Sequence, residues 1–140
     1  MVRNVANLVP PCETGDGYHG TRAALEFAVR TLHVEYIIVL GHSQCGGIQA
    51  FLDNVEHSYA GEFITPWMEI AKDALRTDKL RACEQAAIQT SLQNLHTFPW
   101  MHEVVTQQRL ELHGWYFDIA QGQLLIYNHM SKHFELAQAG

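Results

Sequence analysis

Apolar and polar positions follow two rhythms along this chain, and the change from one to the other marks its elements. Residues 36–40, YIIVL, form an unbroken apolar run, β-branched in its middle and closed by Gly41. Such a run predicts a strand buried on both faces. Gly46 and Gly47 then let the backbone turn tightly into a helix that carries Ile48, Ala50, Phe51 and Leu52. Upstream, Leu25, Ala28, Val29 and Leu32 recur at the spacing of one helical face. They predict a helix over residues 21–32 with Thr21 as its N-cap. Residues 1–9, MVRNVANLV, read as the end of a strand running into a loop, closed by Pro10 and Pro11. Residues 12–20 are a loop rich in glycine. Strand, helix, strand in that order make a right-handed parallel unit the default.

Downstream, residues 53–62 are polar and read as a loop. Thr65 can cap a helix with Pro66 at its first position, its apolar stripe being Trp67, Ile70, Ala71, Ala74 and Leu75. A longer helix is predicted over residues 78–96. Leu80, Cys83 and Ala87 lie on one side of it, with Ile88, Leu92 and Leu95 continuing, so Cys83 belongs to the core. Pro99 ends it, and residues 100–108 suggest another short helix. Residues 110–118, LELHGWYFD, are a strand candidate with Gly114 as a bulge or a point of close approach. A turn at Ala120, Gln121 and Gly122 leads into a return strand over residues 124–127. Residues 130–140 carry no convincing pattern. The expected architecture is α/β: a parallel core sheet flanked by helices, with a hairpin strand near the C-terminus. Residues 1–140 read as a single domain.

Composition narrows the function classes. The chain is 47% hydrophobic and 17% charged, which excludes disorder. A net charge of −6, without a basic cluster, gives no electrostatic footprint for nucleic acid. No apolar run is long enough to cross a membrane, and no signal-peptide pattern stands out. Three cysteines at irregular spacing argue for free thiols in a reducing compartment, and the expected location is the cytoplasm.

The candidate chemistry sits after the 36–40 strand. His42 and Cys45 follow it three positions apart, at the carboxyl end of a core strand, where open α/β sheets place their ligands. Imidazole and thiolate both suit Zn²⁺, and a cysteine near a helix N-terminus is biased toward the thiolate. A bare H-x-x-C pair is equally the mark of a core cysteine beside a loop histidine. Its strand and its Gly-Gly raise it above that. A catalytic zinc site uses three protein ligands and one open position. His33, His57, His96, His102, His129 and His133 are scattered and read as surface or satisfied core residues. Cys12, in the loop after Pro10 and Pro11, is the remaining thiol outside a helix core; His19 is a weaker substitute still.

Taken together, VRNVANLVP, ALEFAV, HVEYIIVLGHSQCGGIQA, SLQNLHTFP and LELHGWYFDIAQGQL resemble the β-class carbonic anhydrases in family order, from Val2 to about Leu125, and the bacterial enzymes most strongly. The GHSQCGG block is the most specific piece. The resemblance implies zinc as cofactor, with His42 and Cys45 as metal ligands, CO2 and bicarbonate as substrates, and an obligate homodimer or larger homo-oligomer. It implies a carbonate dehydratase, a lyase, in which zinc lowers the pKa of its water to near neutrality.

The family's first cysteine ligand comes from a Cys-x-Asp-x-Arg motif, whose Asp and Arg form the catalytic pair. These 140 residues contain no such motif. The expectation is therefore a domain incomplete at its N-terminus: the first central strand missing, no catalytic residue of the pair present, and residues 36–40 left as an apolar edge prone to aggregation. Two other functions stay open on this reading. One is hydrolysis of a CO2 analogue such as carbonyl sulfide or carbon disulfide. The other is a non-catalytic remnant acting through protein interaction.

Overall fold

The computed structural model describes residues 1–13, 15, 17–53, 61–77 and 79–138. Its elements are α1 (Gly20–Glu26), β1 (Tyr36–His42), α2 (Gly46–Asp53), α3 (Ile64–Met68), α4 (Leu80–Leu95) and α5 (Pro99–Thr106), then β2 (Glu111–Asp118), β3 (Gln123–Asn128) and β4 (His133–Leu136). The strands form one sheet in the order β1-β2-β3-β4. β1 pairs parallel with β2, from Tyr36 opposite Glu111 to His42 opposite Phe117. β2 with β3 and β3 with β4 are antiparallel. The fold is α/β as expected, but the sheet is mixed and its parallel character is confined to one pair.

Alternation along the pleat sorts the side chains. Val39, Leu112, Tyr116 and Leu125 are buried with Ile88, Leu92 and Leu95 of α4 in the main core. Gly114 belongs to this face, and α4 lies so close there that an added Cβ would stand 2.9 Å from side-chain atoms of Ile88 and Leu92. The β1–β2 register is unbroken through Gly114, so this glycine is a point of close approach and not a bulge. A second cluster joins Ala6, Leu8, Cys45, Ile48, Met68, Ala71, Leu75, Cys83 and Ala87. Helix α4 feeds both clusters, and Cys83 is fully buried in it as its position in the stripe predicts.

The other face of β1 differs from expectation. Tyr36, Ile38 and Leu40 are 58%, 43% and 54% exposed. The strand is covered on the α4 face alone, and β2 is its one strand partner among the described residues. The apolar run signalled a buried strand without saying that its cover is supplied by this chain.

Residues 1–9 are not the end of a strand. They run extended into a 3-10 turn, Val5–Asn7, where Ala6 and Asn7 take positive φ of 62° and 48°. Their backbone groups bond to α4 and not to a sheet. The Val9 N–H donates to Ser91 Oγ (3.0 Å), the Ser91 hydroxyl donates to the Asn7 carbonyl (2.8 Å), and Asn94 Nδ2 donates to the Val9 carbonyl (2.8 Å). The parallel unit expected from this segment is accordingly not formed.

Smaller differences have local causes. The helix predicted over residues 21–32 is α1 followed by a π-helical turn, Phe27–Thr31, and His19, not Thr21, holds its N-cap position. α3 begins at Ile64, so Thr65 lies inside it and Phe63 precedes it. Pro99 opens α5 at its first turn. α2 runs through Asp53, and the rest of the predicted loop over residues 53–62 falls outside the described residues apart from Gly61 and Glu62, as does the predicted helix start at Asp78. β4 lay in a stretch without pattern. Its four residues are mostly exposed and follow a turn in which Asn128 Oδ1 accepts from the Met130 and Ser131 N–H groups. No helix of the described residues is long and apolar enough to cross a membrane.

Candidate functional site

β1 ends at His42, and Ser43 and Gln44 carry the chain over to Cys45 and α2. This short connection is pinned to the neighbouring strand. The Ser43 N–H donates to the Phe117 carbonyl (2.9 Å), and the Ile119 N–H donates to Ser43 Oγ (2.8 Å). Gln44 takes a positive φ of 59° and makes the turn expected of Gly46 and Gly47, which are instead the first two residues of α2 and have no positive φ. Below the connection there is no spare room. A Cβ on Gly41 would stand 2.8 Å from Ile88 Cδ1, and one on Gly47 would stand 2.5 Å from Val5 Cγ1.

His42 lies exposed on the face of β1 that the helices leave open. Its Nδ1 is 2.8 Å from the Ser43 carbonyl. A carbonyl can only accept, so Nδ1 is the donor here, and in the neutral imidazole Nε2 is the nitrogen left with a lone pair. That is the tautomer a metal-binding imidazole needs when its second nitrogen is held by the backbone. Cys45 is 7% exposed and immediately precedes α2, where its carbonyl accepts from the Gln49 N–H (3.0 Å). The donor chemistry of this pair fits zinc. Among the described residues no group of three or more His, Cys, Asp or Glu side chains could hold a metal, so the pair stands without a third donor there.

Neither substitute fills the gap. The Cys12 N–H donates to Thr97 Oγ1 (2.7 Å), just past the C-terminal end of α4. Cys45 lies against Glu84 in the first turns of the same helix. The two cysteines are thus separated by roughly 20 Å of helix length. His19 precedes α1 and is exposed. His33, His96, His102, His129 and His133 are exposed, as a surface reading requires; His57 falls outside the described residues.

The sequence reading missed Glu84 and Tyr116. Glu84 is 3% exposed. Its Oε1 accepts from the Cys45 N–H (2.8 Å) and its Oε2 accepts from the Tyr116 hydroxyl (2.6 Å). Burial, followed by the hydrogen bond and charge of Glu84, pushes the Tyr116 phenol well above its usual range. Arg81 lies 5.3 Å over the Tyr116 ring and donates to Asp118 Oδ2 (2.7 Å). The Gln121 N–H, then the Arg81 guanidinium, hold the Asp118 carboxyl below the usual carboxylate range, against the opposing effect of its burial. The signal for Glu84 was there: Leu80, Glu84 and Ile88 share a helical stripe, and a carboxylate on a buried stripe needs donors.

The chain as a whole is similar to known proteins. Residues 1–124 match the protein-family model described as carbonic anhydrase. Beta carbonic anhydrase 5 of Arabidopsis thaliana, named chloroplastic, is 44% identical over 128 residues, covering 84% of this chain and 42% of that protein. Beta carbonic anhydrase 6 of the same plant, named mitochondrial, is 38% identical over 135 residues, covering 88% and 46%. The solved structure of the β-carbonic anhydrase CcaA aligns with a TM-score of 0.87 at 29% identity, covering 99% of this chain and 66% of that one. A tetrameric β-carbonic anhydrase of Sordaria macrospora aligns with a TM-score of 0.71 at 29% identity, covering 89% and 66%. The chain spans about half the length of these curated relatives. The organelle names overturn the expected cytoplasmic location. Free thiols argue only against an oxidising compartment and name no particular reducing one, so cysteine usage could not fix the location. With the family model matched over most of its length, and with relatives of this identity, the chain belongs to the β-carbonic anhydrase family.

Proposed function

We propose that this protein serves the reversible hydration of CO2 to bicarbonate, with zinc held by Nε2 of His42 and the thiolate of Cys45. The observation that carries the reading is the Nδ1–H of His42 on the Ser43 carbonyl. It selects the neutral tautomer whose other nitrogen accepts, three positions before a cysteine at a helix N-terminus, in a chain of this family. Zinc, when bound, supplies a Lewis acid that brings the pKa of water toward neutrality. The chain's own part is to hold two donors at the end of β1. Ser43 fixes the imidazole tautomer, and the bonds of Ser43 to Phe117 and Ile119 fix the connection that carries both ligands.

The third donor of a catalytic zinc site has to come from outside the described residues. Because the chain also lacks the Cys-x-Asp-x-Arg motif that the family resemblance calls for, we expect the 140 residues by themselves, zinc-loaded, to hydrate CO2 no faster than buffer containing free zinc in stopped flow. Turnover above that control, abolished by His42→Ala, would show the site to be complete as it stands. Zinc retained after dialysis should fall on Cys45→Ser; unchanged stoichiometry would remove Cys45 from the site. Assembly with further copies is part of the same proposal, supported by the tetrameric Sordaria relative and by the uncovered apolar face of β1.

A further inference from the structure

We propose that Glu84 is a positioning residue for the metal pair: its carboxylate holds the Cys45 backbone, and so sets where the Cys45 sulfur stands relative to His42. The inference rests on the zinc reading above and goes beyond it, since Glu84 is neither a ligand nor in contact with the imidazole through any bond described here.

The argument begins with cost. A carboxylate that is 3% exposed is unfavourable in a helix stripe that could hold leucine. Both of its oxygens are nevertheless committed, Oε1 to the Cys45 N–H at 2.8 Å and Oε2 to the Tyr116 hydroxyl at 2.6 Å. The two donors come from different elements, the entrance to α2 and the middle of β2. Glu84 itself stands on α4, which packs against both. The carboxylate therefore ties the ligand loop to the rigid helix and strand beneath it. The Ser43 bonds hold the start of the connection and the second core cluster packs on the Cys45 side chain, while the Glu84 bond is the one that fixes the Cys45 peptide. Gln44 takes a left-handed conformation immediately before Cys45. Gly46 follows with no heavy atom near its Cβ direction. Neither neighbour adds packing of its own to that of the Cys45 side chain in the second cluster.

The tie is specific to Cys45. The bond goes to the ligand's own peptide nitrogen, one bond from the Cα that carries the thiol. Groups that hold metal ligands in this way change affinity by about 10–100-fold when removed. Length is what matters here, because an oxygen drawn back by one methylene cannot reach the Cys45 N–H while α4 stays packed on the sheet.

The test uses cobalt as the metal probe on the full 140-residue chain, read by the thiolate-to-cobalt absorption and by titrated affinity. Glu84→Gln keeps the length and an accepting oxygen, and should bind cobalt within about twofold of the natural chain. Glu84→Asp keeps the charge and loses the reach, and should weaken cobalt by roughly tenfold or more. It should also accelerate hydrogen exchange at the Cys45 amide. Leu92→Ala, a core change two turns away on the same helix, serves as a control of reduced stability and should leave the affinity near that of the natural chain. The inference is overturned if Glu84→Asp binds as the natural chain does. It is also overturned if Glu84→Gln loses as much as Glu84→Asp, which would make charge the cause, or if Leu92→Ala loses as much, which would make stability the cause. A natural chain without a cobalt–thiolate band overturns the metal pair and this inference with it. A natural chain with the band and no part in CO2 hydration, even when supplied with a third donor, sinks the proposed function and leaves Glu84 in its role.

Discussion

Tyr116 shows how much a single buried group can hold. Its hydroxyl satisfies Glu84 at 2.6 Å inside the core. Tyr116→Phe leaves the ring in place and strips the carboxylate of one donor, which should cost ~1.5–3 kcal/mol, the range for a hydrogen bond to a charged partner. Denaturant unfolding of the two proteins measures it. The same group gives an alkaline signature. Its folded pKa is raised, by burial first and by Glu84 next, above the ordinary value of 10.0. Above that pH the unfolded chain has released the proton that the folded chain keeps, so stability falls as pH rises. The loss should be absent in Tyr116→Phe. Asp118 acts at the other end of the scale. Its carboxyl is held below the ordinary 3.8 by the Gln121 N–H and by Arg81, so its contribution is present above that pH and is lost as pH falls through the lower folded value. Asp118→Asn should flatten the acid limb of the stability profile below the ordinary carboxylate value of 3.8. Arg81→Ala should change it little, because the Arg81 side chain is about half exposed and such pairs are screened by solvent.

At the scale of elements, the packing of α4 on β1 and β2 is set by two glycines. An added methyl at Gly41 meets Ile88 Cδ1 and Cγ1, and one at Gly114 meets Ile88 Cγ2 and Leu92 Cδ1. Gly41→Ala and Gly114→Ala should each cost ~1–3 kcal/mol through overpacking. Ile88→Val removes Cδ1 and keeps Cγ2. It should therefore relieve part of the Gly41→Ala loss and none of the Gly114→Ala loss, a pattern that double-mutant cycles from thermal or denaturant unfolding would read. The sequence reading had placed Gly114 as a bulge or a close approach, and helix contact decides for the second. The same helix explains why residues 1–9 are not a strand. Ser91 and Asn94, polar residues within a helix whose neighbours pack the core, capture the backbone of Asn7 and Val9. No apolar rhythm reports such bonds.

For the molecule as a whole, the open face of β1 governs behaviour in solution. Tyr36, Ile38, Leu40 and, on the adjoining strand, Phe117 are exposed together, and the outer edge of β1 has no strand partner among the described residues. An apolar edge and face of this kind recruits other chains. Sedimentation velocity of the 140-residue chain should show association that grows with concentration. Ile38→Lys, on the exposed face, should shift the distribution to smaller species without lowering the melting temperature by more than a few degrees. Association untouched by this substitution would place the contact elsewhere.

The amino-acid sequence by itself determined the elements whose cause is local or periodic: the β1 run, the helix α2 that follows it, the long stripe of α4, the hairpin from β2 to β3, and the His42–Cys45 pair between strand and helix. Each rests on spacing or on the freedom of a glycine, which the chain carries wherever it is placed. The family, too, was legible, because the GHSQCGG block and its companions keep their order. Tertiary structure decided everything that depends on a partner distant in sequence. It showed which face of β1 is covered, that the N-terminal segment bonds to α4, and that Cys12 and Cys45 lie toward opposite ends of one helix. It also showed that Glu84, unremarked in its stripe, reaches the ligand's own peptide nitrogen. A carboxylate in a helical pattern looks the same whether it faces water or two buried donors. The difference lies in the elements brought against it, here the turn after β1 and the middle of β2.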